Sequence, residues 1–242
     1  VIENAEEAVY EEKKMEETEV CFLMDRFGYM RIIDKNAYER NKEAAHAENK
    51  FVFTCMNTDK ICIFTDMGRM HSIKVADIPL VRFRDKGTPV DNLSNYDSSQ
   101  EQILYVAPVG QVKLSSLLFV TKTSMCKLVA GSEFDVSKRT IASTKLGEED
   151  ALIFVGPADE MEQIVFQSQG GYFLRILKND VSAMKKTSVG VRGMKLAEGD
   201  VLEHAYLIEP RQEYTITYHD KPYSLNKVKL AKRDTKGTKP RI

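Results

Sequence analysis

The residues with the clearest potential chemistry in this sequence are lysines and arginines that recur in similar settings. One group lies at or just after short turns, and the other lies in loops that contain glycine. Positive side chains spaced along a surface bind a polyanion by replacing the counterions at its phosphates, which requires no contact with the bases. The candidate binding residues are Arg26, Arg31, Arg69, Lys74, Arg84, Lys86, Lys122, Lys127, Lys138, Arg139, Arg175, Lys178, Lys185, Lys186, Arg192, Lys195, Lys227, Lys229, Lys232 and Arg233.

Motifs for catalysis are missing from the sequence. It contains no nucleophile elbow, no phosphate-binding loop and no His-Glu-x-x-His motif. The four histidines are scattered without the spacing of metal ligands. We therefore expect no catalytic residue, no metal site and no cofactor in this chain.

The cysteines Cys21, Cys55, Cys62 and Cys126 form no Cys-x-x-Cys pair, and three of them lie in apolar runs. This pattern favours free thiols in a reducing compartment. A redox or metal role for these cysteines is an alternative that thiol titration and metal analysis would distinguish. No stretch of 18 uninterrupted apolar residues occurs, and the first residues lack the pattern of a signal peptide. We expect a cytoplasmic protein.

The charges are distributed unevenly along the chain. The 242 residues carry a net charge of −1, but residues 1–19 hold eight Glu and two Lys, whereas residues 221–242 hold eight Lys or Arg and one Asp. The composition of the acidic residues 1–19 predicts a solvated connector. The chain begins with Val1 rather than with methionine, which suggests a fragment cut from a longer chain.

Short apolar runs rich in Val, Ile, Phe and Tyr follow from residue 20 onward, and polar or glycine-containing turns separate them. Such runs are typical of strands. The one helix-like stretch in this region is 37–50, so the alternation of strands and helices that marks a parallel α/β fold is missing. The pattern predicts an all-β fold.

One unit of two strands and a turn recurs along the chain. Its turn positions are 28, 68, 124, 171 and 222, which gives spacings of 40, 56, 47 and 51 residues. Glycine suits three of these positions because a tight hairpin requires positive φ. Ser124 and Pro222 occupy the other two, which predicts a different turn in those hairpins.

A second glycine recurs at a constant distance from the turn glycine. Gly87 follows Gly68 by 19 residues, and Gly190 follows Gly171 by 19 residues. Repeats of 40 to 50 residues predict a propeller-like ring of five, or six, four-stranded blades. The alternative is a β-sandwich with coincidental glycines. In a ring with equivalent blades, the basic residues would form a belt around the outer edge, which suits a bent polyanion.

The residues that carry these markers resemble one family. Phe22-Leu23-Met24-Asp25-Arg26-Phe27-Gly28-Tyr29, Gly171-Tyr172-Phe173-Leu174-Arg175 and Gly190-Val191-Arg192-Gly193-Met194-Lys195-Leu196 are similar to the C-terminal domain of the A subunit of bacterial type IIA DNA topoisomerases. The resemblance implies a β-pinwheel over residues 20–242 that binds double-stranded DNA, with residues 1–19 as the connector from the catalytic core. It also implies that the domain is part of an ATP-dependent, nucleoid-associated enzyme. Its partners in that enzyme would be the remainder of the A subunit and the ATPase B subunit.

The sequence departs from the gyrase pattern in one respect. Gyrase A subunits carry a Gln-Arg-Arg-Gly-Gly-x-Gly box that supports chiral wrapping of DNA, and no such sequence occurs here. The chain therefore looks more like the topoisomerase IV subunit or a weakly wrapping gyrase subunit. The catalytic residues of the family lie in domains that this chain does not contain. A propeller-like protein-interaction module that does not bind DNA is the competing hypothesis.

Overall fold

The structure is a computed structural model that describes residues 14–242, and it consists mainly of short antiparallel strands. The first thirteen residues of the predicted connector lie outside the described residues. The strands are β1 (Glu19–Met24), β2 (Tyr29–Asp34), β3 (Phe51–Met56), β4 (Lys60–Thr65), β5 (Arg69–Lys74), β6 (Thr88–Pro89), β7 (Ile103–Pro108), β8 (Ser116–Thr121), β9 (Met125–Ala130), β10 (Thr140–Ala142), β11 (Leu152–Pro157), β12 (Gln163–Ser168), β13 (Phe173–Leu177), β14 (Val191–Arg192), β15 (Leu202–Ile208), β16 (Thr215–Tyr218) and β17 (Lys221–Ser224). The α-helices are α1 (Lys35–Arg40), α2 (Lys42–Glu48), α3 (Val90–Leu93) and α4 (Val109–Leu114).

The strands form five sheets, which we number as blades 1 to 5 in chain order. Their strand orders are β3-β1-β2-β6, β10-β5-β4-β7, β11-β8-β9-β14, β13-β12-β15 and β16-β17. Each blade contains a hairpin of two consecutive strands. In blades 1 to 4 a later strand of the same repeat, which we call its third strand (β3, β7, β11 and β15), pairs with the first strand of that hairpin. The prediction of an all-β pinwheel with about five blades is confirmed.

Each of the first three blades takes its fourth strand from the repeat that follows. After β5, the chain returns to blade 1 and forms β6 beside β2. The same exchange brings β10 to β5 and β14 to β9. In blade 4 the exchange is reduced to one bridge between Phe173 and Thr238. We call the four returning stretches (75–89, 131–142, 178–192 and 225–238) the crossover segments.

The two last blades differ from the predicted four strands. Blade 4 has three strands and blade 5 has two among residues 14–242. The reason lies in the exchange, because the strands that complete a blade come later in the chain than its hairpin. In blade 4 the place of the fourth strand holds only the bridge between Phe173 and Thr238.

The hairpin turns show why glycine recurs in this sequence. Gly28 and Gly68 have φ of +79° and +68°, and Ser124 has φ of +72° at the equivalent place. Ser124 therefore adopts the same left-handed conformation, and the prediction of a different turn there is wrong. The prediction holds for blade 5, where a two-residue turn places both His219 and Asp220 at positive φ.

Apolar side chains pack between successive blades rather than within one central core. One cluster joins Phe22 of blade 1 to Ile63 of blade 2, and another joins Phe64 of blade 2 to Phe119 of blade 3. Two further clusters join blade 3 to blade 4 and blade 4 to blade 5. The hairpin strands of blades 2 to 4 therefore bury both faces, which explains why their sequences are continuous apolar runs.

The remaining face of blade 1 is covered by the predicted helical stretch. Cys21 and Leu23 point away from blade 2 and pack against Tyr38 of α1 and Ala45 of α2. The stretch predicted as one helix is divided at Asn41, which lies between α1 and α2. Asp34 begins α1 by accepting a hydrogen bond from the backbone N–H of Ala37 at 2.7 Å. No helix among residues 14–242 is both long and apolar enough to span a bilayer.

In three of the four crossover segments a glycine (Gly87, Gly190 or Gly237) lies where the segment meets the preceding blade. A Cβ atom on Gly190 would lie 2.6 Å from the carbonyl oxygen of Cys126, and one on Gly237 would lie 2.5 Å from that of Phe173. Both glycines also have positive φ. The constant spacing noted in the sequence therefore reflects a close approach of two backbones.

Replacing Gly190 by alanine is expected to lower the free energy of unfolding by about 2 kcal/mol, because it combines a left-handed backbone with a backbone clash. Urea denaturation would measure the change. Gly110→Ala is the matched control, since a Cβ there meets nothing within 4 Å. An unfolding free energy for Gly190→Ala equal to that of the control would contradict the explanation.

Candidate nucleic-acid interface

The strand order defines an inner and an outer edge of the blades. The third strands of successive repeats contact one another, because β3 touches β7, β7 touches β11, and β11 touches β15. These strands lie at one end of each sheet, and the crossover segments lie at the opposite end. The row of third strands is therefore the inner edge, and the crossover segments form the outer edge.

Three of the four crossover segments align residue by residue. Each of these three begins its return with a parallel bridge to the preceding blade, which pairs Ile32 with Leu80, Leu128 with Ala183 and Arg175 with Leu230. Two residues after each bridge stands an exposed cation, and five residues after that cation stands a glycine. The aligned cations are Arg82, Lys185 and Lys232, and the aligned glycines are Gly87, Gly190 and Gly237.

Most of the predicted binding residues are accessible to solvent. Six are half-buried: Arg31, Lys122, Arg175, Lys178, Lys186 and Arg233. Thirteen are exposed: Arg26, Arg69, Lys74, Arg84, Lys86, Lys138, Arg139, Lys185, Arg192, Lys195, Lys227, Lys229 and Lys232. Of these nineteen, twelve lie on the crossover segments: Arg84, Lys86, Lys138, Arg139, Lys178, Lys185, Lys186, Arg192, Lys227, Lys229, Lys232 and Arg233.

Lys127 is a correction to the sequence-based prediction, because it is 1% exposed. Its Nζ donates hydrogen bonds to the carbonyl oxygens of Lys185, Lys186 and Ser188 at 3.0, 3.1 and 2.6 Å. An ammonium group has three donors, and all three are used here. Burial lowers the pKa of Lys127 to about 8, while the nearby Glu133 carboxylate acts in the opposite direction. The side chain fastens a crossover segment and is not available to a ligand.

Two other predicted cations on the second hairpin strands also contact the following crossover segment. Arg31 of blade 1 is equivalent to Lys127, whereas Arg175 of blade 4 lies one residue later, at the position of Leu128. Arg175 donates to the carbonyl oxygens of Asn226 and Val228 at 2.9 and 3.2 Å. The guanidinium of Arg31 lies 5.6 Å from the ring centroid of Phe83. Cations at this strand position in blades 1 and 3, and next to it in blade 4, therefore contact a crossover segment, and periodicity in the sequence alone does not distinguish this structural role from ligand binding.

Blade 2 carries a histidine, His71, at the position of Lys127. His71 is buried, and its Nδ1 and Nε2 atoms lie 2.9 Å from Thr140 Oγ1 and 3.1 Å from Glu101 Oε1. Burial acts to raise the pKa of the Glu101 carboxyl, but hydrogen bonds from Thr65, His71 and the Asp97 N–H outweigh it and lower the pKa. This cluster again joins a hairpin to a crossover segment, because Thr140 belongs to β10.

Some of the predicted cations are paired with carboxylates. Arg84 lies 3.1 Å from Glu48, Arg192 lies 3.5 Å from Asp234, and Arg69 lies 3.7 Å from Glu101. Exposed pairs of this kind are weak, so a phosphate can compete for the arginine. The buried Glu101 is a stronger competitor for Arg69.

Two basic residues absent from the sequence-based prediction lie at the outer edge of blade 4. The Nζ atoms of Lys236 and Lys239 lie 5.4 and 5.0 Å from the ring centroid of Tyr172. Lys86 takes the same position over Tyr29 in blade 1, at 5.7 Å. The signal was available in the sequence, since Lys236-Gly237 repeats Lys86-Gly87.

The four cysteines are unpaired thiols, and all are buried. Burial raises the pKa of Cys21, Cys55, Cys62 and Cys126 to about 12. The thiolate, which is the metal ligand and the nucleophile, is therefore strongly disfavoured at neutral pH. This environment fits the expectation of inert free thiols better than a redox role.

Comparison with known proteins supports the sequence-based resemblance. The family model described as the DNA gyrase C-terminal domain, a β-propeller, matches residues 59–98, 115–159 and 162–209. The DNA gyrase A subunit of Lawsonia intracellularis is 27% identical over 208 residues, which cover 81% of this chain and 25% of that protein. The DNA topoisomerase 4 A subunit of Streptococcus pneumoniae is 25% identical over 195 residues, covering 77% of this chain and 24% of that protein. The chain spans about a quarter of the length of these curated relatives.

Solved structures show the same fold at lower identity. The C-terminal domain of DNA topoisomerase IV superposes with a TM-score of 0.82 at 22% identity, covering 93% of this chain and 73% of that chain. The DNA gyrase A C-terminal domain superposes with a TM-score of 0.62 at 17% identity, covering 91% of this chain and 76% of that chain. Each family-model match contains one hairpin and its crossover segment, so the family repeat coincides with the exchanged unit of the fold.

Proposed function

Because the chain belongs to the family of DNA gyrase C-terminal domains, we propose that it binds double-stranded DNA without sequence preference and bends it around the outer edge of the blades. In this proposal the domain presents a DNA segment to the catalytic core of a cytoplasmic type II topoisomerase. Its partners there would be the ATPase B subunit of the enzyme together with the remainder of the A subunit.

The observation that carries the proposal is the alignment of exposed cations on three of the four crossover segments. Arg82, Lys185 and Lys232 occupy the same position in three repeats and are exposed in each. A duplex that follows the outer edge would meet one of these cations at each of the corresponding blades. Contacts of this type go to phosphates, and they position the duplex without reading its sequence.

The expected affinity is modest, since every contact is electrostatic and bending opposes binding. Bending 20–30 base pairs by 40–90° costs on the order of 1–6 kcal/mol. Non-specific complexes of this kind have dissociation constants of roughly 10⁻⁴ to 10⁻⁶ M at physiological salt. The isolated domain would therefore hold DNA weakly and depend on the core for a stable complex.

A gel-shift titration of the 242-residue chain with a linear duplex tests the proposal. We expect binding at low salt that weakens as salt rises, with a log–log slope of about 0.9 for each phosphate contact. A duplex labelled at both ends should also show a shorter end-to-end distance by energy transfer when bound. Absence of binding at low salt, or binding that ignores salt, would overturn the proposal.

A further inference from the structure

The hairpin of blade 5 has a free flank that is occupied in every other blade. The first strand of each hairpin pairs with a third strand in blades 1 to 4, as in β1 with β3 and β12 with β15. The equivalent strand in blade 5 is β16, and its sheet contains β16 and β17 among residues 14–242. The place of a third strand beside β16 is thus not filled by the described part of the chain.

A cavity of about 580 Å³ lies at this place. Its walls come from the third strands of blades 3 and 4, through Phe154, Tyr206 and Leu207, and from β16, through Thr215 and Ile216. The row of third strands β3, β7, β11 and β15 leads directly to it. The cavity therefore continues an established packing surface.

The backbone at this flank can accept another strand. The turn His219-Asp220 makes Tyr218 and Lys221 a hydrogen-bonded pair, so the backbone groups of Thr217 point away from β17. The opposite edge of the sheet is protected, because β17 carries Pro222 where an N–H would point outward. The β16 edge has no proline and no lysine.

The third strands of the other blades indicate which side chains suit the position. In blades 2, 3 and 4 they turn two apolar residues, three positions apart across a shift in the strand register, towards the preceding blade, and neither is charged. These residues are Ile103 and Val106 in β7, Leu152 and Val155 in β11, and Leu202 and Ala205 in β15.

We propose that the flank of β16 binds an extended segment of another polypeptide, which adds to blade 5 as its third strand. The segment is expected to carry Val-, Leu- or Ala-like residues three positions apart and no proline facing β16. Main-chain hydrogen bonds to β16 supply affinity, and the cavity between β15 and β16 selects the side chains. The proposal is independent of DNA binding.

A peptide with the sequence of residues 201–209, which contains β15, is the probe. We expect saturable binding of the fluorescently labelled peptide to the 242-residue chain in an anisotropy titration. Thr217→Pro should weaken this binding at least tenfold, because it removes an outward N–H. Thr217→Val is the matched control and should bind within twofold of the parent. Circular dichroism checks that both variants fold.

A second measurement keeps the test decisive if Thr217→Pro fails to fold. The same peptide N-methylated at alternate positions keeps its side chains but lacks the donors, so it should bind the parent chain at least tenfold more weakly. Absence of saturable binding by the parent peptide, or equal binding of the methylated peptide or of folded Thr217→Pro, would overturn the proposal. Dimerisation through β16, detected by sedimentation and abolished by Thr217→Pro, would instead assign the flank to a second copy of this chain.

Discussion

Removing the three aligned cations of the outer edge is expected to abolish most of the DNA affinity. In the variant Arg82→Gln/Lys185→Gln/Lys232→Gln, three phosphate contacts are lost, so the log–log salt dependence should become shallower by about 2.7. This change corresponds to an affinity on the order of a hundredfold weaker at 0.1 M salt. Fluorescence anisotropy with a labelled duplex at several salt concentrations measures both quantities.

A matched triple variant separates position from net charge. Lys42, Lys50 and Lys113 are exposed lysines that lie outside the crossover segments, on or next to other elements. Their replacement by glutamine changes the net charge equally, and we expect it to weaken binding by less than threefold. Equal losses for the two triple variants would show that only the overall charge matters, and the outer edge would not be the binding surface.

Lys127→Met is expected to lower the free energy of unfolding by about 3 kcal/mol, since it leaves three half-buried carbonyl oxygens without the Nζ donor. For a chain of this size, each kcal/mol shifts the melting temperature by about 2–4 °C. Differential scanning calorimetry should therefore show a decrease of roughly 6–12 °C. At a temperature where the variant is folded, its DNA affinity should match that of the parent within twofold.

Two further variants complete this experiment. Lys127→Arg should recover part of the lost stability, because arginine fills the equivalent position in blade 1 as Arg31. Lys138→Met removes an exposed lysine of a crossover segment and should leave the melting temperature unchanged. If Lys127→Met melted at the temperature of the parent and bound DNA more weakly, Lys127 would be a DNA-binding residue and not a structural one.

The repeat was predictable from the sequence, because hairpin turns and backbone contacts both depend on glycine. The spacing of Gly68 to Gly87 and of Gly171 to Gly190 reports a real contact between two segments. The left-handed Ser124 was missed, since serine adopts this conformation only when the surrounding structure imposes it. The exchange of fourth strands was also invisible in the pattern, because β6 and β14 contain two residues each.

The candidate site was predictable at the level of charge but not at the level of role. A lysine on a strand and a lysine on a loop look alike in sequence, yet Lys127 is buried and Lys185 is exposed. The difference arises from the crossover segment, which places carbonyl oxygens over the strand position. Only the pairing of Leu128 with Ala183 brings these groups together, and that contact joins residues far apart in the chain.

The exchange of fourth strands has a consequence for how this protein folds during its synthesis on the ribosome. The first sheet starts at Glu19 but receives its last strand only when Pro89 has been synthesised, and blade 4 waits in the same way for Thr238. Each nascent sheet must therefore remain incomplete while the next hairpin emerges, with one strand open to misassembly. Each sheet would therefore complete its folding only after the next repeat has been synthesised.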